Sequence, residues 1–280
     1  MDIVDLILNL AGLLLWLSWR TGRIAQAPVV VGVSLAATLK PLQAQRDSVW
    51  RPLLGLGALL LIRSFFYRQI GSAVHWLPAI DLYAIRLPFR SDSWHLMALY
   101  SFLSFAWFLG KVYMWLLLIS ALHKRGSEGD LIIKHVRAQL GFVAQWPAII
   151  KLLLSPIVFV LLWFPLQFVL TRVGINPAPS STELVVQQAL LLGLGVLCAW
   201  EFLLVGLLLL YVVNDYVYLG AHQFWLFIQA TGRKLLAPFS WLPLRFARLD
   251  LAPFVLLALA LYGAELAKRQ LPEIYARLPL

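Results

Sequence analysis

The sequence is poor in cysteine, and this excludes the structures that pairs of cysteines support. Cys198 is the only cysteine among 280 residues, so no intrachain disulfide can form. No CxxC, CxxCH or zinc-type spacing exists, which excludes a structural zinc site and covalently attached c-type haem. Because Cys198 lies in an apolar run, we expect it to be a small buried hydrophobic residue.

Charged residues are also scarce. Only 13% of the residues are charged and 61% are hydrophobic, whereas about a quarter of an average soluble domain is charged. A soluble fold of this length could not cover so much apolar surface, so lipid is the expected solvent. Since one crossing takes about 20 residues, the composition predicts an all-α, polytopic membrane protein with about six transmembrane helices.

Signatures of catalysis and of cofactor binding are missing. The sequence has no GxSxG, HExxH, phosphate-loop or dinucleotide motif, and no pair of histidines inside a span that could hold b-type haem. We therefore expect no enzyme activity, no metal and no cofactor. A noncovalent cofactor held by His75 or His95 at the outer face stays open as an alternative.

Six apolar runs predict the spans and their orientation. They cover residues 3–19, 52–70, 94–122, 147–170, 184–213 and 251–267. Loops after the first, third and fifth runs carry about twice as many Lys and Arg as the opposite loops, which puts both termini outside. Acidic residues precede the first run and cations follow it, the reverse of a secretory signal, so we expect an uncleaved first span.

The net charge of +10 fits the same picture. No nucleic-acid-binding motif accompanies it, so anionic lipid is the expected partner. Two cytoplasmic stretches have one apolar helical face and a basic remainder, and we expect them to lie in the headgroup plane; the alternative is packing against the soluble part of another protein. The expected headgroup contacts are Lys134, Arg137, Arg233 and Lys234.

An internal repeat is indicated by two pairs of residues at one offset. Gly141 and Pro147 recur as Gly232 and Pro238, both 91 residues later, within similar hydropathy patterns. Both copies start from the same membrane side, so the repeat is parallel. The predicted modules are a two-helix module over 1–93 with an edge-like strand near 80–90, a first helix-pair repeat over 94–171 and a second over 172–280 with the tail.

Charges inside the predicted spans are the main candidate site. Counting residues from the span ends puts Arg63, Lys111 and Glu201 at one depth, roughly 16 Å from the cytoplasmic face at 1.5 Å per residue. We expect Glu201 to pair with Lys111 and to share its carboxylate with Arg63. The favoured interpretation is a structural lock, and the alternative is an ion or proton path.

The C-terminal segment resembles the YggT family. The resemblance rests on residues 229–238, on Leu242-Pro243 and on residues 249–254, in which Pro238, Asp250 and Pro253 match the family's repeat in type and spacing. Residues 184–267 are similar to one whole repeat, and 94–171 to a degenerate second copy. The sequence departs from the family at 239–241, which lack the basic pair, and at Ala247-Arg248, which replace Gly-Gly. Asp250 and Pro253 suit the start of the helix that follows.

The resemblance implies a bacterial inner-membrane or plastid protein without a known catalytic activity. Together with the missing motifs, it predicts a structural or accessory subunit, or an assembly scaffold, of a larger membrane complex. The expected partners are lipid and other membrane subunits, with no nucleic acid and no small-molecule substrate. A transporter or channel for ions or small solutes is the first alternative, and a cytochrome or haem assembly factor is the second.

Overall fold

A computed structural model describes residues 2–25, 50–74, 76–123, 131–177, 179–217, 222–239, 245–246 and 249–278. Several predicted features lie outside these ranges. They are many of the loop cations, His75, and residues 240–244 and 247–248 of the YggT-like segment. The described chain is all-α, as predicted, apart from two antiparallel pairs of very short strands.

The described residues form nine α-helices and four short strands. The helices are α1 (Asp2–Ala25), α2 (Arg51–Val74), α3 (Trp94–Leu122), α4 (Leu131–Leu140), α5 (Ala148–Arg172), α6 (Thr182–Val196), α7 (Trp200–Tyr216), α8 (Gln223–Leu236) and α9 (Ala252–Ala276). The strands are β1 (Ala79–Asp81), β2 (Arg86–Pro88), β3 (Arg245–Phe246) and β4 (Leu249–Asp250). β1 pairs with β2, and β3 with β4.

Five helical segments in the described ranges are long and apolar enough to cross a membrane. They are Ile3–Arg23, Arg51–Gly71, Trp94–Leu122, Ala148–Arg172 and Thr182–Tyr216, and they coincide with the first five predicted runs. The sixth predicted run lies in α9, whose second half carries Glu265, Lys268, Arg269 and Glu273. Because these charges shorten the apolar stretch, a sixth crossing stays a prediction.

Helix starts follow local sequence signals. The Ser181 side chain accepts a hydrogen bond from the Leu184 backbone N–H and caps α6. Asp250 accepts from the Ala252 N–H at 3.0 Å, and Pro253 occupies the first turn of α9, where its missing N–H costs nothing. Asp250 therefore satisfies one backbone N–H at this helix start although Leu251 is the N-cap residue, and Pro253 lies in the first turn as expected.

The chain divides into two compact units. The first comprises residues 1–78 and 89–109, and the second comprises 79–88 and 110–280. These units do not follow the module boundaries expected at 93 and 171, because the division falls inside α3 and the β1–β2 hairpin belongs to the second unit. The modules stay a prediction about the repeat.

In the first unit, α1 and α2 form an antiparallel pair with the beginning of α3. Gly12 lets the Phe105 ring approach the backbone of α1, because a Cβ there would lie 2.7 Å from the ring. Leu56, Leu60 and Phe105 form the buried core, with Leu15 packed against it. Small residues at such crossings allow close packing where burial from water gives no driving force.

In the second unit, α5 pairs with α6 and α7 pairs with α9, while α8 packs on α7 and on α4. The matched glycines of the predicted repeat differ in environment. Gly141 is exposed and left-handed at φ 59° after α4, whereas Gly232 lies buried inside α8 against the Tyr211 ring. Pro147 precedes α5, whereas Pro238 lies in the 3₁₀ turn Ala237–Phe239 after α8. The repeat itself stays a prediction.

Candidate functional site

Helix α5 has its polar residues inside and its apolar residues outside. Its buried positions are Lys151, Ser155, Trp163, Gln167 and Leu170, largely at a spacing of four. Its exposed positions include Ile149, Leu153, Ile157, Leu161, Phe164 and Phe168. A helix in water would bury the second set, so α5 is typical of a helix whose outer surface faces lipid. The polar seam it turns inward is where function is expected in a membrane protein.

The first unit encloses a hydrogen-bonded cluster around Arg63, which is 2% exposed. The guanidinium forms a salt bridge with Asp5 and donates to Asn9 Oδ1 at 2.8 Å and to Ser104 Oγ at 3.0 Å. Its Nε donates to the Tyr67 hydroxyl at 3.1 Å, and that hydroxyl donates to Asp5 at 2.7 Å. Ser104 also donates to Asp5 at 3.1 Å. Side chains of α1, α2 and α3 therefore form one hydrogen-bonded network, which is neutral because the Arg63 and Asp5 charges balance.

This network corrects the partner expected for Arg63. The sequence suggested the Glu201 carboxylate, but the guanidinium binds the Asp5 carboxylate within its own unit. Asp5 was overlooked because it reads as a polar flank of the first span. The spacing held a usable signal: Asp5 and Asn9 are four apart on α1, and Arg63 and Tyr67 are four apart on α2, so each pair presents one polar face.

The Glu201 carboxylate binds Lys268 of α9, with Nζ and Oε2 2.5 Å apart. The sequence predicted Lys111 as its partner. The Glu265 side chain of α9, expected to be solvated or paired locally beside Lys268 and Arg269, accepts from Arg269 at 2.9 Å, and both side chains are exposed. Lys268 was missed because the depth of α9 beside α7 depends on packing, which residue counting along single helices does not reveal.

Lys111 and Glu201 nevertheless belong to one region of the second unit, around Tyr83 in the β1–β2 turn. The Lys111 ammonium lies 5.7 Å from the centre of the Tyr83 ring, a cation–π arrangement. Burial raises the pKa of the Tyr83 hydroxyl to about 12, with smaller contributions from Cys198, Asp81 and Glu201. The phenol is therefore neutral at ordinary pH.

Tyr83 also has an unusual backbone. Its φ is 67°, in the left-handed region that non-glycine residues seldom adopt. The Tyr83 N–H donates to Asp81 Oδ1 at 2.8 Å, which supports this turn. On α6, a Cβ at Gly195 would lie 3.4 Å from the Tyr83 Cβ and from the Leu82 carbonyl, so the glycine brings α6 close to the turn. The predicted edge strand is thus a hairpin whose tip packs on α6.

A 3₁₀ turn at Leu197–Ala199 joins α6 to α7 just before Glu201. The sequence suggested an uninterrupted span, because no proline falls here. Residues on both sides keep helical dihedrals, so the direction is retained. The Trp115 indole N–H donates to the Ala199 carbonyl at 2.8 Å and satisfies a group that the altered turn releases.

The two amphipathic helices are covered by the protein itself. Ile133 of α4 joins Phe227 and Ile228 of α8 in one core with Leu208 and Tyr211 of α7. The buried part of each apolar face therefore packs on protein, and a position of these helices in the headgroup plane stays a prediction. The four cations expected to contact headgroups differ in exposure: Lys134 and Arg233 are exposed, whereas Arg137 and Lys234 are half-buried.

Lys151, inside the fourth predicted run, is a further buried cation. It is 5% exposed in the first turn of α5, and its ammonium donates to Ser120 Oγ at 2.9 Å and lies 3.4 Å from the Ser120 carbonyl. A cation suits this place because the carbonyls at the C-terminal end of α3 carry partial negative charge.

No group of His, Cys, Asp and Glu in the described residues could hold a metal ion. No protein-family model matches the chain, and neither a curated protein nor a solved structure matches it. The resemblance to the YggT family therefore stays a prediction from its residues.

Proposed function

We propose that this chain is a non-catalytic integral membrane protein, a structural or accessory subunit or an assembly scaffold of a larger membrane complex. The observation that supports this best is the neutral Arg63 network, in which α1, α2 and α3 satisfy a buried guanidinium among themselves. A transported ion would need a charge that exchanges partners, whereas this one is held by several hydrogen bonds. Such a network suits a rigid element for assembly.

The proposed topology has six crossings, with α9 as the last. Ala252 and Leu256 of α9 pack on the core near Tyr211, while Lys268 binds Glu201. Helix α9 therefore runs antiparallel to α7, and its 25 residues extend about 37 Å at 1.5 Å per residue, enough to span the hydrocarbon layer. Six crossings would put both termini on the extracytoplasmic side of a bacterial inner membrane, with Lys134 and Arg233 toward lipid headgroups.

Purification of the protein at native abundance tests the proposed role. The membrane is extracted in a mild detergent, and the complex is sized and its components are identified by mass spectrometry. A discrete complex with fixed stoichiometry is the expected result, and Arg63→Met is expected to reduce its yield. A lone monomer or homo-oligomer would contradict the accessory-subunit proposal.

A transporter or channel is the second candidate, and a specific feature favours it. The 3₁₀ turn at Leu197–Ala199 adjoins the Glu201–Lys268 pair, and altered helix geometry beside a charge is typical of transport sites. Ion and solute flux into proteoliposomes should then fall with Glu201→Gln, while Glu265→Gln serves as the exposed control. Equal flux in protein-free vesicles would exclude this candidate.

A further inference from the structure

The turn of the β1–β2 hairpin packs against the interior of a helical segment of membrane-crossing length. A Cβ on Gly195 would lie 3.4 Å from the Leu82 carbonyl oxygen and 3.4 Å from the Tyr83 Cβ. Gly195 belongs to the 35-residue segment Thr182–Tyr216, and at 1.5 Å per residue it lies about 20 Å from the beginning of that segment. The hairpin therefore does not stop at the end of this segment, as an ordinary loop between two spans would.

Helix α5 gives an independent measure of this depth. A Cβ on Gly193 would lie 2.7 Å from the Val160 side chain and 3.2 Å from the Pro156 carbonyl, both close to the middle of the apolar segment Ala148–Arg172. Since α5 and α6 are consecutive and pair along their length, they are antiparallel. Gly195 therefore lies about 6 Å past the middle of α5, toward its Ala148 end. If α5 crosses the membrane, the hairpin turn reaches mid-membrane.

Non-helical backbone at this depth has to be kept from lipid. Hydrocarbon offers its N–H and C=O groups no partners, so such backbone occurs there only when it is buried in protein or lines a water-filled cavity. One side of the hairpin meets the first condition, because Leu82 and Ala84 are buried. The Leu82 N–H also donates to the Ile85 carbonyl at 3.0 Å within the turn. The other side needs a different explanation.

The other side of the hairpin carries exposed charged side chains. Asp81 and Arg86 are partners across the two strands, and both are exposed. At 3.3 Å per residue each lies within about 10 Å of Tyr83 at the turn. The surface of a hydrocarbon layer lies about 15 Å from its centre, so both charges fall below that surface. Contact with lipid there would cost about 3 kcal/mol for each charge.

Helix α9 adds exposed charge close to the same level. The Leu271 side chain would lie 3.4 Å from a Cβ on Gly195, and Lys268 precedes Leu271 by one helical turn. The Lys268 side chain is 39% exposed although its ammonium binds Glu201. Water satisfies the exposed charges of both the hairpin and α9, whereas lipid satisfies neither set.

We propose that β1–β2 is a re-entrant hairpin lining a water-filled recess, open on the extracytoplasmic side, through which small hydrophilic molecules reach the level of Cys198. The Cys198 side chain is half-buried three residues after Gly195. The pKa of the Tyr83 hydroxyl is raised first by burial and next by Cys198, which puts the thiol near the turn. The hairpin joins α2 to α3, so it leaves the membrane where α2 ends. The recess rests on the proposed topology and requires no partner protein.

The native cysteine tests the recess without any substitution. Sealed membrane vesicles of each orientation are treated with a charged, membrane-impermeant methanethiosulfonate, and the modified fraction is followed by mass spectrometry. The control is Ile157→Cys in a Cys198→Ala background, because Ile157 lies beside Pro156 at the same depth, on the exposed apolar face of α5. From the extracytoplasmic side, Cys198 should react about tenfold faster than this control, since the reactive thiolate does not form in hydrocarbon. Arg86→Cys in the same background should react faster than the control as well.

The proposal is overturned if either Cys198 or Arg86→Cys reacts as slowly as Ile157→Cys, because water then does not reach this depth. Equally fast reaction of all three would overturn it too, since this level of the protein would lie outside the bilayer. Reaction of Cys198 from the cytoplasmic side alone would overturn the direction of the opening and contradict the proposed topology. The size of the purified complex, which tests the scaffold role, does not depend on any of these results.

Discussion

At the scale of single residues, the buried charges are the features on which stability depends most. Arg63 is nearly inaccessible, and its only carboxylate partner in the described residues is Asp5. A buried ion pair is weak evidence of net stabilisation, but removing one partner leaves an uncompensated charge. The consequences of altering Asp5 and Arg63 are therefore expected to be large and mutually dependent.

Asp5→Asn should destabilise the first unit by about 3 kcal/mol, because the guanidinium loses its counter-charge while staying buried. The double variant Asp5→Asn/Arg63→Met should lose less than Asp5→Asn alone, since no unpaired charge remains. Denaturant unfolding in detergent measures both. Equal stability of Asp5→Asn and the unaltered protein would show that the network does not hold the helices together.

Glu201→Leu should cost about 1 kcal/mol, a modest amount because Lys268 is 39% exposed and its long side chain can turn away from the protein when the carboxylate is lost. Glu265→Leu is the matched control, since its pair with Arg269 is exposed and should contribute almost nothing. Thermal unfolding of the two variants in the same detergent measures the two losses of stability, and the loss from Glu201→Leu should be the larger. A larger loss from Glu265→Leu would show that the α7–α9 pair is not the more important one.

Tyr83 should make stability depend on alkaline pH. Because its pKa is raised in the folded protein to about 12, the folded state holds this proton more tightly than the unfolded chain does. Its contribution is present below the unfolded pKa of about 10 and is lost as the pH rises toward 12. Unfolding followed between pH 9 and pH 12 should show a smaller decline for Tyr83→Phe; an identical decline would place the titrating group elsewhere.

At the scale of secondary-structure elements, composition and hydropathy predicted where the first five spanning segments lie. The sequence did not predict two finer features, because the residues that form them carry no local signal. The 3₁₀ turn at Leu197–Ala199 contains no proline or glycine, so nothing in those residues marks it. The β1–β2 turn depends on a left-handed tyrosine, a conformation that sequence patterns favour at glycine or asparagine. Both features are fixed by neighbours distant in sequence.

The close approach of α5 and α6 gives a prediction at this scale. Gly193→Leu should destabilise the second unit by about 2 kcal/mol, because the new side chain meets Val160 and the Pro156 carbonyl. Gly206→Leu is the control, since no atom outside its own helix lies within 4 Å of an added Cβ. Thermal unfolding compares the two variants, and a loss at Gly206 as large as that at Gly193 would contradict the packing.

At the scale of the whole molecule, the number of crossings determines the side on which the C-terminus lies. Five crossings would put the termini on opposite sides of the membrane, whereas the proposed six put them on the same side. A single cysteine introduced at Asp2 or at Leu278, in a Cys198→Ala background, can be labelled in intact cells with a membrane-impermeant maleimide. Both positions should react from outside; reaction at only one would exclude α9 as a sixth span.

The sequence by itself determined that the chain is all-α and that several of its helices are long and apolar enough to cross a membrane. Hydropathy is a sum over local residues, so an all-α chain with several membrane-type helices follows from composition and spacing alone. It also identified Arg63, Lys111 and Glu201 as the charges to explain, since any charge in an apolar run is costly.

Only the tertiary structure decided which groups meet those charges. Asp5 reaches Arg63, and Lys268 reaches Glu201, because of helix register and rotation. Register is set by small residues that let helices approach, such as Gly12 and Gly193, and by the direction in which each side chain points. Helix register and side-chain direction depend on contacts between residues that are distant in the sequence. A pattern read along the sequence therefore does not reveal them.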